Sequence, residues 1–197
     1  MKIIGLTGPT GAGKSTVMTI AKKLNIKIID CDKIAREVTK KGEPALLKLS
    51  EHFGEDIIEN GELNRAVLAK KAFSTKEETT ALNRIIFPFI LKNLSAKITE
   101  EIEAGTHSLL LDAPTLYESG ADVLCDKVIA ILSSSDSRFK RILKRDGISL
   151  SDAKRRMAAG KPDSFYAKAD YIIKNDGTMK EFLNNIETVL TQILGGK

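Results

Sequence analysis

The chain has 197 residues, of which 42% are hydrophobic and 29% charged. This predicts one folded domain with room for a small inserted piece and excludes a disordered chain. Lys and Arg exceed Asp and Glu by 31 to 26, and the net charge of +5 fits an anionic small molecule as easily as nucleic acid.

The composition also bears on partners and compartment. Aromatic residues make up only 5% of the chain and Trp is absent, so stacking platforms for nucleic acid are not expected. Cys31 and Cys125 form no C-x-x-C pair, and no apolar leader precedes the first predicted strand. We therefore expect a cytoplasmic protein, a monomer or weak homo-oligomer, without nucleic-acid or membrane partners.

The first predicted elements are a strand over residues 2–7 and a helix over residues 14–24. Between them lies the pattern G-x-x-x-x-G-K-S, from Gly8 to Ser15. Glycines let backbone N–H groups turn towards an anion, and the helix adds the positive end of its dipole. The alternative, a glycine-rich turn with a surface lysine, is disfavoured by these flanks. The predicted ATP-binding residues are Gly11, Ala12, Gly13, Lys14, Ser15 and Thr16.

A second short strand, residues 26–29, is followed by Asp30 and Asp32. On an extended segment, alternate residues point to one side, so both carboxylates are expected to face the same crevice. One of them can accept a proton from an attacking hydroxyl. The alternative is that Asp32 only caps a helix beginning at Lys33. Spacing alone leaves both open.

A helix-rich region follows, up to about residue 104, and is much longer than one crossover needs. Asn64 is a predicted N-cap for a helix over residues 65–73, and Ser74 with Glu77 forms a predicted capping box. Pro88 predicts a break or kink near Phe87. We expect this insertion to be a substrate domain over the carboxyl ends of the strands.

Three further strands are predicted over residues 107–111, 127–132 and 170–173. Strands that alternate with helices predict an α/β fold with a five-stranded parallel sheet flanked by helices. Asp112 follows the first of these strands and is expected to hold Mg²⁺ together with Ser15. The alternative for Asp112 is a turn before Pro114.

The basic stretch after Ser135 places Arg138, Arg141 and Arg145 on one helical face. We expect a lid that closes over ATP, with these arginines neutralising the transferred phosphoryl group, although a charge run is often only a solvated face. Asn175 follows the last strand, where it either contacts adenine or forms a turn.

Several segments together resemble the dephospho-coenzyme A kinases, which are P-loop kinases. They are the phosphate loop, the Asp30–Val38 segment with its D-x-D-x-I-A-R pattern, residues 61–65, residues 82–88, the Asp112–Glu118 segment, and residues 169–177. The resemblance extends over essentially the whole chain. The phosphate loop is shared by many NTPases, whereas the second and fifth segments are much more specific.

The resemblance implies ATP- and Mg²⁺-dependent phosphorylation of the ribose 3′-hydroxyl of dephospho-coenzyme A, the last step of coenzyme A synthesis. It also implies a nucleotide-binding core (residues 1–32, 105–135 and 166–197), a helical coenzyme-binding insertion (33–104) and a helical lid (136–165). By the family pattern, Asp32 engages the 3′-hydroxyl. Together with Lys14 of the phosphate loop and Arg141 of the basic stretch, it completes the expected catalytic residues. Arg65 and Asp112 are expected to contact substrate, and Asn175 is expected near adenine.

The sequence departs from the family pattern at a few positions. Phe87 stands where a His usually precedes the Pro, and Gly160 stands where a Gln is usual. Thr115 and Tyr117 change the D-x-P-L-L-F-E segment, and Asn64 replaces a common Asp. The rival functions are a kinase for another small acceptor, a GTP switch, for which no N-K-x-D segment is present, and a nucleic-acid-bound ATPase.

Overall fold

The structure is a computed structural model that describes residues 1–195. The strands are β1 (Lys2–Thr7), β2 (Lys27–Asp30), β3 (Ile58–Glu59), β4 (Glu62–Leu63), β5 (Ser108–Asp112), β6 (Lys127–Leu132) and β7 (Tyr171–Lys174). The α-helices are α1 (Lys14–Lys23), α2 (Cys31–Glu37), α3 (Pro44–Phe53), α4 (Arg65–Ala72), α5 (Lys76–Glu103), α6 (Leu116–Ser119), α7 (Ser135–Asp146), α8 (Leu150–Ala158) and α9 (Met179–Ile193).

The chain divides into two compact units. The first comprises residues 1–29 and the chain from Gly105 onward, and the second comprises residues 30–104. The predicted insertion, residues 33–104, nearly coincides with the second unit, and almost all of the predicted core and all of the predicted lid fall in the first. The roles of the core, the insertion and the lid stay predictions.

The first unit is built on a parallel sheet with the strand order β2-β5-β1-β6-β7. The central strand β1 pairs in parallel with β5 on one side and with β6 on the other, and β6 pairs in parallel with β7. The predicted five-stranded parallel sheet is therefore confirmed. The second, third and fifth predicted strands are each displaced by one residue, which lies within the usual uncertainty of strand ends.

The core of the first unit lies between this sheet and two helices. Ile4 and Leu6 alternate along β1 and present their side chains to the same face, where both are fully buried. Helix α1 contributes Val17 to this cluster, and α9 contributes Phe182 and Ile186 at helical spacing. This packing fixes both ends of the loop that joins β1 to α1.

The second unit contains α2 to α5 and the β3-β4 hairpin, which the sequence did not reveal. Asn64 caps α4, as predicted, by accepting a hydrogen bond from the Val67 N–H. The predicted capping box at Ser74 is wrong by one residue, since Thr75 is the N-cap of α5.

Helix α5 runs unbroken through Pro88 for 28 residues, so the predicted break near Phe87 is wrong, and the alternative of a kink there stays a prediction. A proline inside a helix removes one hydrogen bond and costs about 3 kcal/mol. Beyond Pro88, burial of Ile90, Leu94 and Ile98 favours continuation of the helix and offsets that loss. Among residues 1–195, no helix is both long and apolar enough to cross a membrane.

Candidate active site

The loop between β1 and α1 has the shape of an anion-binding loop. Gly13 is the N-cap of α1 with φ 115°, a left-handed conformation that the chain reaches readily only at glycine. The first amides of a helix have no acceptor within the helix, so they can point at an anion. In this loop the Thr16 N–H donates back to the Gly13 carbonyl oxygen at 3.1 Å. The Lys14 ammonium donates to the Gly8 carbonyl oxygen at 2.7 Å, which holds it beside the first half of the loop.

Asn175, at the end of β7, supports the back of this loop. Its side-chain amide is buried and donates to the Ala12 carbonyl oxygen at 2.8 Å. In a trans peptide, C=O and N–H point in opposite directions. A carbonyl held from behind therefore directs the following Gly13 N–H to the open side of the loop. The expected adenine contact stays a prediction, and the amide donor of Asn175 is engaged with the loop.

Arg141 on α7 supports the same part of the loop. Its Nη1 donates to the carbonyl oxygens of Gly11 at 3.3 Å and Ala12 at 3.4 Å, and to Ser133 Oγ at 2.9 Å. Its Nη2 donates to the carbonyl oxygen of Asn175 at 2.9 Å. We call Arg141 and Asn175 the loop brace, because together they join α7 and the end of β7 to the phosphate loop.

The loop brace is completed by a carboxylate. Asp176 Oδ1 accepts hydrogen bonds from Ser133 Oγ at 2.9 Å and from the Ser134 N–H at 2.8 Å. The Ser134 N–H lowers the pKa of Asp176 below its ordinary 3.8, with smaller contributions from the Ser133 and Ser134 hydroxyls and the charge of Arg141. The ends of β6 and β7 are thus joined behind the loop.

Gly11 shows how closely α7 approaches the loop. Its φ is 77°, and a Cβ built on it would lie 2.8 Å from the Arg138 carbonyl oxygen. Real Cβ atoms essentially never approach a backbone oxygen that closely. The loop and the first turn of α7 are therefore in backbone contact.

Ser15 and Asp112 are the candidate Mg²⁺ ligands. Ser15 is the second residue of α1, and Asp112 ends β5 in register with Leu6, just before the loop. Both supply oxygen atoms, as Mg²⁺ prefers, and Mg²⁺ usually takes only one or two protein ligands beside substrate phosphates. In residues 1–195 no cluster of three or more His, Cys, Asp or Glu could hold a metal by itself. The residues present fit a phosphate-bound Mg²⁺.

Asp30 and Asp32 belong to the second unit and differ in position. Helix α2 begins at Cys31, and Asp30 is its N-cap, accepting from the Lys33 N–H at 3.1 Å. The prediction that both aspartates lie on one extended segment is wrong, and so is the alternative in which Asp32 is the cap. Asp32 lies in the first turn of α2 and is exposed.

Arg65, the predicted substrate contact, opens α4 in the second unit. Its Nη2 donates to Thr39 Oγ1 at 2.9 Å. Burial lowers the pKa of Arg65, and the charge of Arg36 lowers it further. Two guanidinium groups of this unit are therefore close enough to repel each other, an arrangement that an anion would relieve.

Beside the phosphate loop, the first unit contains a cavity of about 210 Å³. Its walls come from the loop, from the segment after β5, and from α7, α8 and the chain that follows α8. The residues that line it include Thr10, Thr115, Glu118, Arg138, Gly160 and Tyr166. Sequence reasoning did not single out Glu118 or Tyr166, and the only signal for Glu118 was its place in the Asp112–Glu118 segment.

The sequence model of the dephospho-CoA kinase family matches residues 2–181. The chain belongs to this family. A dephospho-CoA kinase of Corynebacterium efficiens is 38% identical over 193 residues, which cover 97% of this chain and 96% of that protein.

Two solved structures are similar over nearly their whole length. A dephospho-CoA kinase from Campylobacter jejuni has a TM-score of 0.72 at 28% identity and covers 99% of this chain and 98% of its own. A crystal structure of a Thermus thermophilus protein has a TM-score of 0.80 at 24% identity, with 97% of each chain covered, and supports the fold alone.

Membership of the dephospho-CoA kinase family carries the activity to this chain. The activity is the ATP-dependent phosphorylation of dephospho-coenzyme A, the final step of coenzyme A biosynthesis. The fold is that of the P-loop kinases, with ATP as the phosphoryl donor.

Proposed function

We propose that the phosphate loop, α2 and the loop brace carry out this reaction, with the ribose 3′-hydroxyl of dephospho-coenzyme A as the acceptor. The bond between the γ-phosphorus and the β–γ bridging oxygen breaks, and a bond from the γ-phosphorus to the 3′-oxygen forms. ADP leaves with the bonding electron pair, and the hydroxyl proton passes to a carboxylate. The observation that carries this proposal is the loop at the N-terminus of α1, which is braced from behind so that the Gly13 N–H is directed to its open side.

The backbone from Gly11 to Thr16 binds the phosphates of ATP, and Lys14 adds a positive charge at the loop. Phosphoryl transfer has a loose transition state, so catalysis rests on positioning and on electrostatic stabilisation. Support comes from the Lys14 ammonium, which already lies at the loop. Arg141 acts through the loop, since its donors are engaged with Gly11, Ala12, Ser133 and Asn175. We therefore assign it a positioning role.

Ser15 and Asp112 would hold Mg²⁺. A bound Mg²⁺ supplies positive charge to the β- and γ-phosphates of ATP. Ser15 presents its hydroxyl beside the phosphate-binding amides, and Asp112 adds a carboxylate at the end of the neighbouring strand.

Asp32 accepts the proton of the 3′-hydroxyl. Two observations support this role. The capping of α2 is done by Asp30, so the helix does not need Asp32 for that purpose, and Asp32 is exposed. The Arg65 and Arg36 pair of the same unit suits the diphosphate of the acceptor, because an anion relieves their mutual repulsion.

The enzyme works in the cytoplasm on small molecules, without nucleic acid or membrane, as a monomer or weak homo-oligomer. Residues 33–104 form the coenzyme-binding insertion, and residues 136–165 form the lid.

The test is ADP release from ATP and Mg²⁺ with dephospho-coenzyme A as acceptor, together with chromatographic detection of coenzyme A. Adenosine, shikimate and nucleoside monophosphates serve as competing acceptors. We expect turnover with dephospho-coenzyme A alone. Turnover with another acceptor and none with dephospho-coenzyme A would contradict the proposal.

Two variants test the assigned roles. Asp32→Asn should lower kcat about 10²–10⁴-fold if Asp32 is the general base. Lys14→Ala should abolish most transfer while leaving the circular dichroism spectrum unchanged, and Lys23→Ala on the exposed end of the same helix is its matched control. An Asp32→Asn enzyme within a few-fold of the parent would remove Asp32 from the mechanism.

A further inference from the structure

The cavity beside the phosphate loop contains two buried polar atoms that nothing satisfies. They are Glu118 Oε2 and Arg138 Nε, and within residues 1–195 neither has a hydrogen-bond partner. A buried polar group without a partner costs about 1–3 kcal/mol, and more when it is charged. Most such groups in native proteins are satisfied, so these two call for an explanation.

The two groups do not satisfy each other, although both line the same cavity. No ion pair within the described part of the chain joins Glu118 to Arg138. Tyr166 lies close to both charges and is 3% exposed. Burial, with a smaller contribution from the Glu118 carboxylate, raises the pKa of Tyr166 to about 12, and the charge of Arg138 opposes the shift. Tyr166 is therefore neutral at physiological pH, and it neutralises neither charge.

The chemistry of the cavity defines what it can hold. The carboxylate requires a hydrogen-bond donor, and the guanidinium requires an anionic oxygen. Pro9 and Met157 add apolar surface to the lining. The volume of about 210 Å³ far exceeds the ~10–15 Å³ that one water needs, so a group of several atoms can enter. A suitable ligand carries a hydroxyl next to a phosphoryl group.

The acceptor in the proposed function acquires this pattern during the reaction. A ribose has vicinal 2′- and 3′-hydroxyls, so a phosphoryl group arriving at the 3′-oxygen lies beside the 2′-hydroxyl. We propose that this cavity is the subsite for the reacting ribose edge, in which Glu118 accepts a hydrogen bond from the 2′-hydroxyl and Arg138 donates to the phosphoryl group in transfer. This inference rests on the proposed function and adds a determinant of substrate choice to it.

The position of the cavity supports this assignment. Thr10 of the phosphate loop forms part of its wall, which places the cavity next to the expected site of the γ-phosphate. Two positions at which the sequence departs from its family pattern, Thr115 and Gly160, also line it. The small residue at 160 leaves room that a longer side chain would fill.

The experiment compares dephospho-coenzyme A with its 2′-deoxy analogue as acceptor. In the parent enzyme the analogue leaves Glu118 unsatisfied, so we expect its kcat/KM to be about 10–100-fold lower. In Glu118→Ala the carboxylate is gone, and the two acceptors should differ by less than about threefold. Glu118→Gln, which keeps an acceptor oxygen without the charge, should fall between them.

The matched control is Glu187→Ala, which removes an exposed carboxylate from α9 and should keep the parent discrimination. Equal discrimination in the parent and in Glu118→Ala would overturn the inference, as would a parent enzyme that turns over both acceptors equally. Both outcomes leave the proposed function intact, because dephospho-coenzyme A is still phosphorylated. A parent enzyme without that activity would instead contradict the proposed function itself.

Discussion

Arg138 and Arg141 lie one turn apart on α7 and have opposite environments. Arg141 donates four hydrogen bonds to the loop, to Ser133 and to the end of β7. Arg138 faces the cavity, and its buried Nε has no partner among the described residues. The guanidinium of Arg141 is hydrogen-bonded within the protein, whereas the Nε of Arg138 is available to donate to a ligand.

The difference shows how one helix can stabilise the fold with one arginine and present another to a ligand. A guanidinium whose donors are occupied stabilises the fold, since each hydrogen bond to a charged group contributes about 1.5–3 kcal/mol. A buried donor without a partner lowers stability instead. The sequence predicted Arg141 as the catalytic arginine, and the hydrogen bonds favour Arg138 as the one that meets the phosphoryl group.

Arg141→Ala should give the largest effect. It leaves loop carbonyl oxygens without donors, so we expect the free energy of unfolding to fall by about 3 kcal/mol. The KM for ATP should rise together with this loss. Urea denaturation and steady-state kinetics measure the two. Arg145→Ala is the control for stability, because among residues 1–195 Arg145 pairs with Asp146 alone, at the surface, and such pairs contribute about 0–1 kcal/mol. An equal loss of unfolding free energy in both variants would contradict the structural role of Arg141.

Arg138→Ala should separate activity from stability. We expect the free energy of unfolding to change by less than about 1 kcal/mol, since no hydrogen bond of Nε is lost. The value of kcat should fall about 10–100-fold because a charge that meets the phosphoryl group is removed. Thermal denaturation and saturating-substrate kinetics test this. If the variant loses stability in proportion to its activity, Arg138 has a structural role like that of Arg141, and the prediction is wrong.

Asn175→Asp tests the other half of the loop brace. The change keeps the shape of the side chain but replaces the donor to the Ala12 carbonyl with an acceptor. We expect the KM for ATP to rise about tenfold, with a smaller change in kcat. Asn184→Asp, at an exposed position of α9, is the matched control. An unchanged KM for ATP would show that the loop does not depend on this amide.

Asp176 should give the smallest effect, visible as a pH dependence. Its pKa is lower in the folded protein than the ordinary 3.8, so its contribution to stability is present above that value. The contribution is lost as the pH falls through the lower, folded-state pKa. Unfolding measured from about pH 6 to about pH 2 should show a shallower decline for Asp176→Asn than for the parent. Parallel curves would exclude a stabilising role for this carboxylate.

Much of the fold could be predicted from the sequence. The bounds of β1 and β6 agree with the prediction, since both are apolar runs between clear breaks. The path of α5 through Pro88 could not be predicted, because packing beyond the proline decides it. The sequence also could not predict that Asp30, and not Asp32, caps α2. Either aspartate suits an N-cap, and the residue at which the helix begins determines which of them takes that position.

The site was predictable only where its residues are neighbours in sequence. The phosphate loop is one continuous motif, so the sequence reveals it. Glu118, Arg138 and Tyr166 come from three separate segments, and no local pattern indicates that they share a cavity. Asn175 was expected at adenine because strand ends often face the nucleotide. Its attachment to Ala12 depends on how β7 and the loop are placed in space.

The contact between Gly11 and α7 limits how the loop can be altered by directed evolution. Three of the four free positions of the motif, Pro9, Thr10 and Ala12, already carry side chains. Gly11 cannot accept one, because the Arg138 backbone lies 2.8 Å from the site of the new Cβ. A library that randomises the motif will therefore keep glycine at position 11, unless a second change moves α7, and with it both arginines.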